Sequence, residues 1–251
     1  MEEDMDVSTT TPLSTMKGTV IVHPKYLEIV DQAQESDFAI PVIYRAGINK
    51  ELIEDWLENH KPSTICSFLI LFRNQGFGWI HIINQRIPKN IVGDVEGLED
   101  AWEDLLASKR QICKERIFEL AKNYRVLPGK WMFWVSPGGK GDHFWSLIAK
   151  GVASGKTLAT HAKMSALEEN TSHVVCIYND NFLDEEEVYE SERTIRSLGI
   201  KCSLHYKPDV FTYLGVYGMN PWGIRPTIYT SHFDILKNQS IIRKRDEHLD
   251  T

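Results

Sequence analysis

The run Lys130–Val135, in the stretch Gly-Lys-Trp-Met-Phe-Trp-Val, constrains the fold more than any other. Bulky apolar side chains fill both alternating sets of positions, so this strand is too apolar to be exposed on either face. Around it, short apolar runs alternate with helical ones. Ile65 to Phe72 and Trp79 to Ile83 flank a turn of Asn, Gln and Gly, a strand–turn–strand pattern. His173 to Tyr178, Thr157 to Lys163, Ile200 to Tyr206 and Phe211 to Tyr217 read as further strands. Helical spacing runs through Leu52–Leu57 after Asn49, and through Leu98–Leu105 after Asp94. It recurs around Ile117–Tyr124, after Asp142 as N-cap, and from Asp184 to Leu198 before Gly199. Strands outnumber helices and hairpins recur. The expectation is an α+β domain with a mainly antiparallel sheet and helices on one face.

At ~150 residues per domain, 251 residues make one large domain or two small ones. Residues 1–17 are acidic and poor in large apolar side chains, and are expected to be a disordered tail. No long Pro/Gly linker interrupts residues 18–236, which read as one domain, and residues 237–251 read as a flexible tail. The chain carries 28 Lys+Arg against 35 Asp+Glu, a net charge of −7. That balance excludes a protein that coats duplex DNA through many phosphate contacts, though not one small basic pocket. The N-terminus lacks a basic start and an apolar core, and no apolar run approaches the ~20 residues that span a bilayer. The expected location is the cytoplasm or the nucleus, away from membranes. Cys66, Cys113, Cys176 and Cys202 form no close pair, so buried thiols are expected rather than a metal site.

Several stretches resemble known families. The runs GKWMFWV, DHFWSLIAKGVASGKT and HVVCIYND, with LGIKCSLHYK after a long acidic helix, resemble the core of translation initiation factor 4E. GWIHI, GDVEGLEDAWEDL, VLPGKWMFWVSPG, IKCSLHYKPDVFTYLGVY and PTIY are similar to the Bles family, named for a basophilic-leukaemia-expressed protein. The resemblance implies a 4E-like fold: a curved sheet, helices on its convex back and a concave front able to hold a ligand. Factor 4E clasps a methylated guanine between two Trp rings and holds its phosphates with basic residues. Here the corresponding places differ. KERIFELAKNYRVLPGKW has no Trp-Glu pair, with Tyr124 its nearest aromatic, and the loop NQGFG offers only Phe77 or Trp79. NDNFLDEEE is acidic where phosphates would be held. The usual cap-binding residues are therefore absent.

The run from Lys207 to Arg225 holds the most specific candidates. Lys207, Asp209, Tyr213, Tyr217, Trp222 and Arg225, with Trp79, could build a site for a flat anionic ligand. Tyr213 and Tyr217 share one face if this stretch is a regular strand. Among the seven Trp, Trp56, Trp102, Trp131 and Trp145 are assigned to packing and Trp134 to the buried strand, which leaves Trp79 and Trp222 as ligand platforms. Gly151 to Thr157 has one residue too few between its glycines for a phosphate loop and reads as a Gly-stopped helix. The leading expectation is non-catalytic binding of RNA or a nucleotide-like ligand on the front, with no cofactor and no metal. Two alternatives stand beside it. One is a protein-interaction module in which Trp102 on a dorsal helix receives a partner peptide. The other is an enzyme acting on a phosphorylated small molecule, for which no nucleophile–base pair appears.

Overall fold

The computed structural model describes residues 40–65, 77–84, 93–166 and 171–245. Most of the Ile65–Phe72 run and the tail 1–17 lie outside the described residues. The elements run β1 (Ile40–Ala46), α1 (Ile53–Asn59), a 3-10 turn (Pro62–Thr64), β2 (Phe77–Asn84), α2 (Val95–Ala107) and α3 (Lys114–Asn123). They continue through β3 (Gly129–Val135), α4 (Gly139–Ser154), β4 (His161–Ser165), β5 (His173–Asn179) and α5 (Glu185–Ser197). The chain closes with β6 (Leu204–Pro208), α6 (Asp209–Tyr213), β7 (Tyr229–Asp234) and β8 (Gln239–Lys244). The eight strands form one sheet in the order β1-β2-β4-β5-β3-β6-β7-β8. All neighbouring pairs are antiparallel except β1 with β2. The expected α+β class and mainly antiparallel sheet are those of the structure.

Strand alternation gives the sheet two chemically different faces. Trp131, Phe133 and Val135 of β3 share the back with Val175 and Ile177 of β5, Ala162 and Met164 of β4, and Ile80 and Ile82 of β2. All are buried in one large apolar core. The helices close over it: Trp145 and Ile148 of α4 are fully buried, and the Trp131 indole donates to the Val188 carbonyl of α5 at 3.0 Å. Gly129 admits Tyr206 against the sheet, because a Cβ there would lie 2.2 Å from the tyrosine oxygen. That hydroxyl donates to Asn179 Oδ1 at 2.6 Å.

Polar side chains fix the helix positions. Asp94 and Asp184 cap α2 and α5 as expected, and Gly199 follows α5 at φ +92°. Two expected caps serve otherwise. Asn49 accepts from Arg45 N rather than opening α1, whose N-cap is Leu52. Asp142 lies inside α4 and accepts from the Ser63 amide and hydroxyl, tying the 3-10 turn to the helix. Within the stretch expected to be a tail, 237–251, Gln239–Lys244 form β8, which pairs with β7 along its whole length, and residues 246–251 lie outside the described residues.

One buried network fastens α5 to this edge of the sheet. Glu192 is fully buried and pairs with Arg196 at 2.7 Å. Its two oxygens also accept from the hydroxyls of Ser231 on β7 and Ser240 on β8. Arg196 spends its remaining donors on the Ile200 and Cys202 carbonyls and on Ser231. Removing one partner strands the other charge without water. Glu192→Ala is therefore expected to cost about 3–5 kcal/mol, read as a lower urea midpoint, while the apolar pair Glu192→Met with Arg196→Leu recovers most of that loss.

Candidate functional site

The front face carries a different set of side chains. Across β2, β4, β5, β3 and β6 its positions are Trp79, His81 and Ile83; His161, Lys163 and Ser165; Val174, Cys176 and Tyr178; Lys130, Met132 and Trp134; and His205 and Lys207. None is a carboxylate. This contrasts with the chain's charge of −7 and arises because the acids cluster on helices and loops.

Three lysines converge here. Lys130 and Lys207 are register partners on β3 and β6, and both are buried. Lys130 Nζ forms a short ion pair with Asp209 and donates to Thr212 Oγ1 at 3.0 Å, both from α6. Lys207 Nζ donates to the Val216 carbonyl at 2.9 Å and stands 3.7 Å from the Tyr217 ring centroid. Lys163 Nζ lies 4.0 Å over Trp79 and 5.9 Å from the Tyr178 centroid. Lys130 also faces Tyr178 at 5.3 Å, and Tyr178 stacks on His161 at 4.1 Å. Cations over ring faces are attracted by the ring quadrupole, so these aromatics compensate part of the ammonium charge.

They do not compensate all of it. Among the described residues, Asp209 is the one carboxylate hydrogen-bonded to this trio. Burial, reinforced by the Lys130 ammonium, pulls Lys207 from 10.5 down to about 8. Lys163 is lowered too, by burial first and then Lys130. His81 falls to about 4 through burial and the Lys163 charge, so it is neutral at pH 7. Burial pushes the Cys176 thiol up to about 11, which leaves it protonated and a poor nucleophile. The site thus holds excess positive charge in partly desolvated surroundings, next to aromatic faces. Such a site favours an anion that also presents a flat ring.

The structure sorts the residues expected from the sequence. Lys207, Asp209 and Tyr217 meet at the centre, and Trp79 shares their face. Tyr213 is half-exposed at the end of α6, its hydroxyl raised by partial burial and then by the Asp209 charge. The expected strand Phe211–Tyr217 is instead helix and turn. Pro208 ends β6, Asp209 N donates to the Pro128 carbonyl, and Val210 and Phe211 are pulled fully into the core. Val216 N then bonds back to the Phe211 carbonyl past Gly215 at φ +70°, which returns Tyr217 over Lys207.

Trp222 and Arg225 go elsewhere. The Asn220 side chain bonds the backbone of Tyr217, Trp222 and Ile224, and this loop turns Trp222 edge-on against Trp102 at 5.0 Å. Trp222 and Arg225 line a separate cavity of about 150 Å³ with Cys113 and Thr227. Trp102 is buried, so its ring has no face left for a partner peptide.

Lys130, Lys163, Tyr178 and Trp134 escaped the sequence reading. Trp134 was expected inside a strand covered on both sides, yet it is 53% exposed on the front, edge-on to His205. The available signal was period two: Trp131, Phe133 and Val135 go to the back, and Lys130, Met132 and Trp134 to the front. The acidic run at 179–187 has a local purpose. Glu187 Oε1 accepts from Asn179 Nδ2, Asp180 N and Asn181 N, closing the loop before α5. Among the described residues, no group of His, Cys, Asp and Glu is arranged to hold a metal, and no helix is long and apolar enough to cross a membrane.

The sheet and its helical back define a mixed α+β protein. Residues 92–215, from the approach to α2 through the turn after α6, match the family model described as "Basophilic leukemia-expressed protein Bles03". The chain belongs to this Bles family. Solved structures similar to it include C. elegans eIF4E-3 in complex with the 4E-binding protein Mextli and a cap analogue, at 14% identity and a TM-score of 0.31, covering 35% of this chain and 53% of that one. Schistosome eIF4E complexed with m7GpppA and 4E-BP matches at 12% identity and a TM-score of 0.31, covering 37% and 53%. Ascaris suum eIF4E-3 with an m2,2,7G cap matches at 14% and 0.29, covering 33% and 51%. The matched region spans about half the length of these structures.

Lys207 can be tested in the protein without ligand. Its folded value of about 8 lies below the ordinary 10.5, so between these pH values the unfolded chain binds more protons. Stability then rises with pH across that window as the buried charge is relieved. Wild type should gain in urea midpoint from pH 7.5 to 9.5 relative to Lys207→Met. Equal pH responses in the two proteins would show that Lys207 titrates normally.

Proposed function

We propose that the front face binds a nucleotide-like ligand or single-stranded RNA, without catalysing its conversion. The observation that carries this reading is the imbalance at the centre: three lysines, two of them buried, against Asp209, the single carboxylate hydrogen-bonded to them among the described residues. Phosphate groups would supply the missing charge, and Lys163 and Lys207 are the cations that no carboxylate among the described residues holds. Trp79 and Tyr217 offer ring faces beside them, each already facing an ammonium. Asp209 has a positioning role. It holds Lys130 in place and offsets one of the three positive charges. Support for binding rather than catalysis comes from Cys176, whose buried thiol stays protonated. The protein would act this way in the cytoplasm or the nucleus.

Titration of the full chain with AMP, ADP, ATP and a methylated cap analogue, followed by Trp fluorescence, tests the reading. Affinity should rise with phosphate number and fall with added salt. A charge-assisted contact contributes about 1.5–3 kcal/mol, so Lys163→Ala and Lys207→Met should each weaken binding roughly tenfold or more. Since Lys207 loses its proton near pH 8, affinity should also decline as pH rises through that value. A nucleotide's terminal phosphate, with its second ionisation near ~6, is already fully charged in that range. No saturable signal at millimolar nucleotide would sink the proposal.

A further inference from the structure

Trp79 and Trp134 lie on one row of the front face. Trp79 faces Ser165, the Ser165 hydroxyl accepts from Val174 N, and Val174 faces Trp134. Three strand spacings separate the two indoles, or ~14 Å at ~4.8 Å each. Both project from the same side of the sheet. A base clasped between two rings needs them ~7 Å apart and facing each other, at ~3.5 Å of contact on each side. These two rings therefore cannot clamp one base, but they can each stack a separate one.

The charges follow the same grid. Lys163 sits one pleat repeat along the strands from the Trp row, and Lys130 and Lys207 sit two repeats along. The pleat repeat is ~7 Å. A polyanion lying across the strands can run along the lysines while its bases reach the Trp row. We infer that this face takes a single-stranded nucleic acid of several nucleotides, with one base on Trp79 and another on Trp134. This rests on the nucleotide-binding reading and specifies the ligand of that same face. At the stacked rise of ~3.4 Å per nucleotide, the two rings are about four steps apart, so a dinucleotide reaches only one of them.

The test compares labelled adenylate dimers and hexamers, in ribose and deoxyribose forms, by fluorescence anisotropy with wild type and Trp134→Leu. Trp134 is more than half exposed, so its replacement removes little core. The hexamer should bind wild type at least tenfold more tightly than the dimer in one or both sugars, and the sugar that shows this identifies the polymer. Trp134→Leu should weaken the hexamer by roughly fivefold or more, the contribution of one stacked base, and leave the dimer's affinity within twofold. If nucleotides bind the lysines but dimer and hexamer agree within twofold, or Trp134→Leu leaves the hexamer unaffected, the two-platform inference falls and the nucleotide reading stands. If neither nucleotides nor hexamers bind, both fall.

Discussion

The contact between Lys130 and Asp209 organises this side of the molecule. An ammonium on a central strand is buried, and an unpaired charge there would be untenable. Its carboxylate comes from α6, the short helix that directly follows β6. Once Asp209 is fixed, α6 is anchored at the end of the sheet, Phe211 is seated in the core, and the chain turns at Gly215 to place Val216 and Tyr217 against Lys207. One ion pair thus positions the neighbouring lysine's partners. It also engages the one carboxylate that, among the described residues, bonds to the three lysines, which leaves Lys163 and Lys207 without a carboxylate from that set.

The α+β class and the two acidic helix caps, Asp94 and Asp184, were legible in the sequence because they depend on local spacing. The face on which each strand residue lies was less legible. Gly-Lys-Trp-Met-Phe-Trp-Val has large apolar groups in both alternating sets, so hydrophobicity alone cannot choose a buried side. The choice is made by tertiary partners: Trp131 has a carbonyl on α5 to receive its N–H and a tyrosine edge to pack on, and Trp134 has neither. The same limit hid Lys130, Lys163 and Tyr178, which come from three strands and meet only through register. Lys207 and Asp209 were found because a proline between them marks a break in the strand. Trp222 and Arg225, equally near in sequence, were lost to the site because the Asn220 side chain folds their loop the other way.

Net charge misleads here for a related reason. The acids that make the chain −7 are committed elsewhere: Asp184 caps α5, Glu187 closes the preceding loop, and Glu192 neutralises Arg196 in the core. Glu192 is offset by the Arg196 charge beside it, and solvent-exposed acids such as Asp184 are screened by salt beyond about 8–10 Å. The described part of the front is governed by its own lysines, so its local charge is opposite in sign to that of the whole chain.

The aromatic positions complete the argument against a single clamped base. A clamp needs two rings on loops that can face each other, whereas Trp79 and Trp134 are strand residues whose direction is set by the pleat. Rings held this way stay parallel in aim and fixed in spacing, so under the proposed binding they would select by length rather than by enclosure. Lys163 already covers the Trp79 face at 4.0 Å. A base arriving there must displace that ammonium, which is then free to turn to the phosphate the base brings with it. Ring and charge are thereby coupled: a bare phosphate lacks the base that uncovers Trp79, and a bare base lacks the charge that re-pairs Lys163. A nucleotide unit, the ligand proposed for this face, would satisfy both conditions at one place.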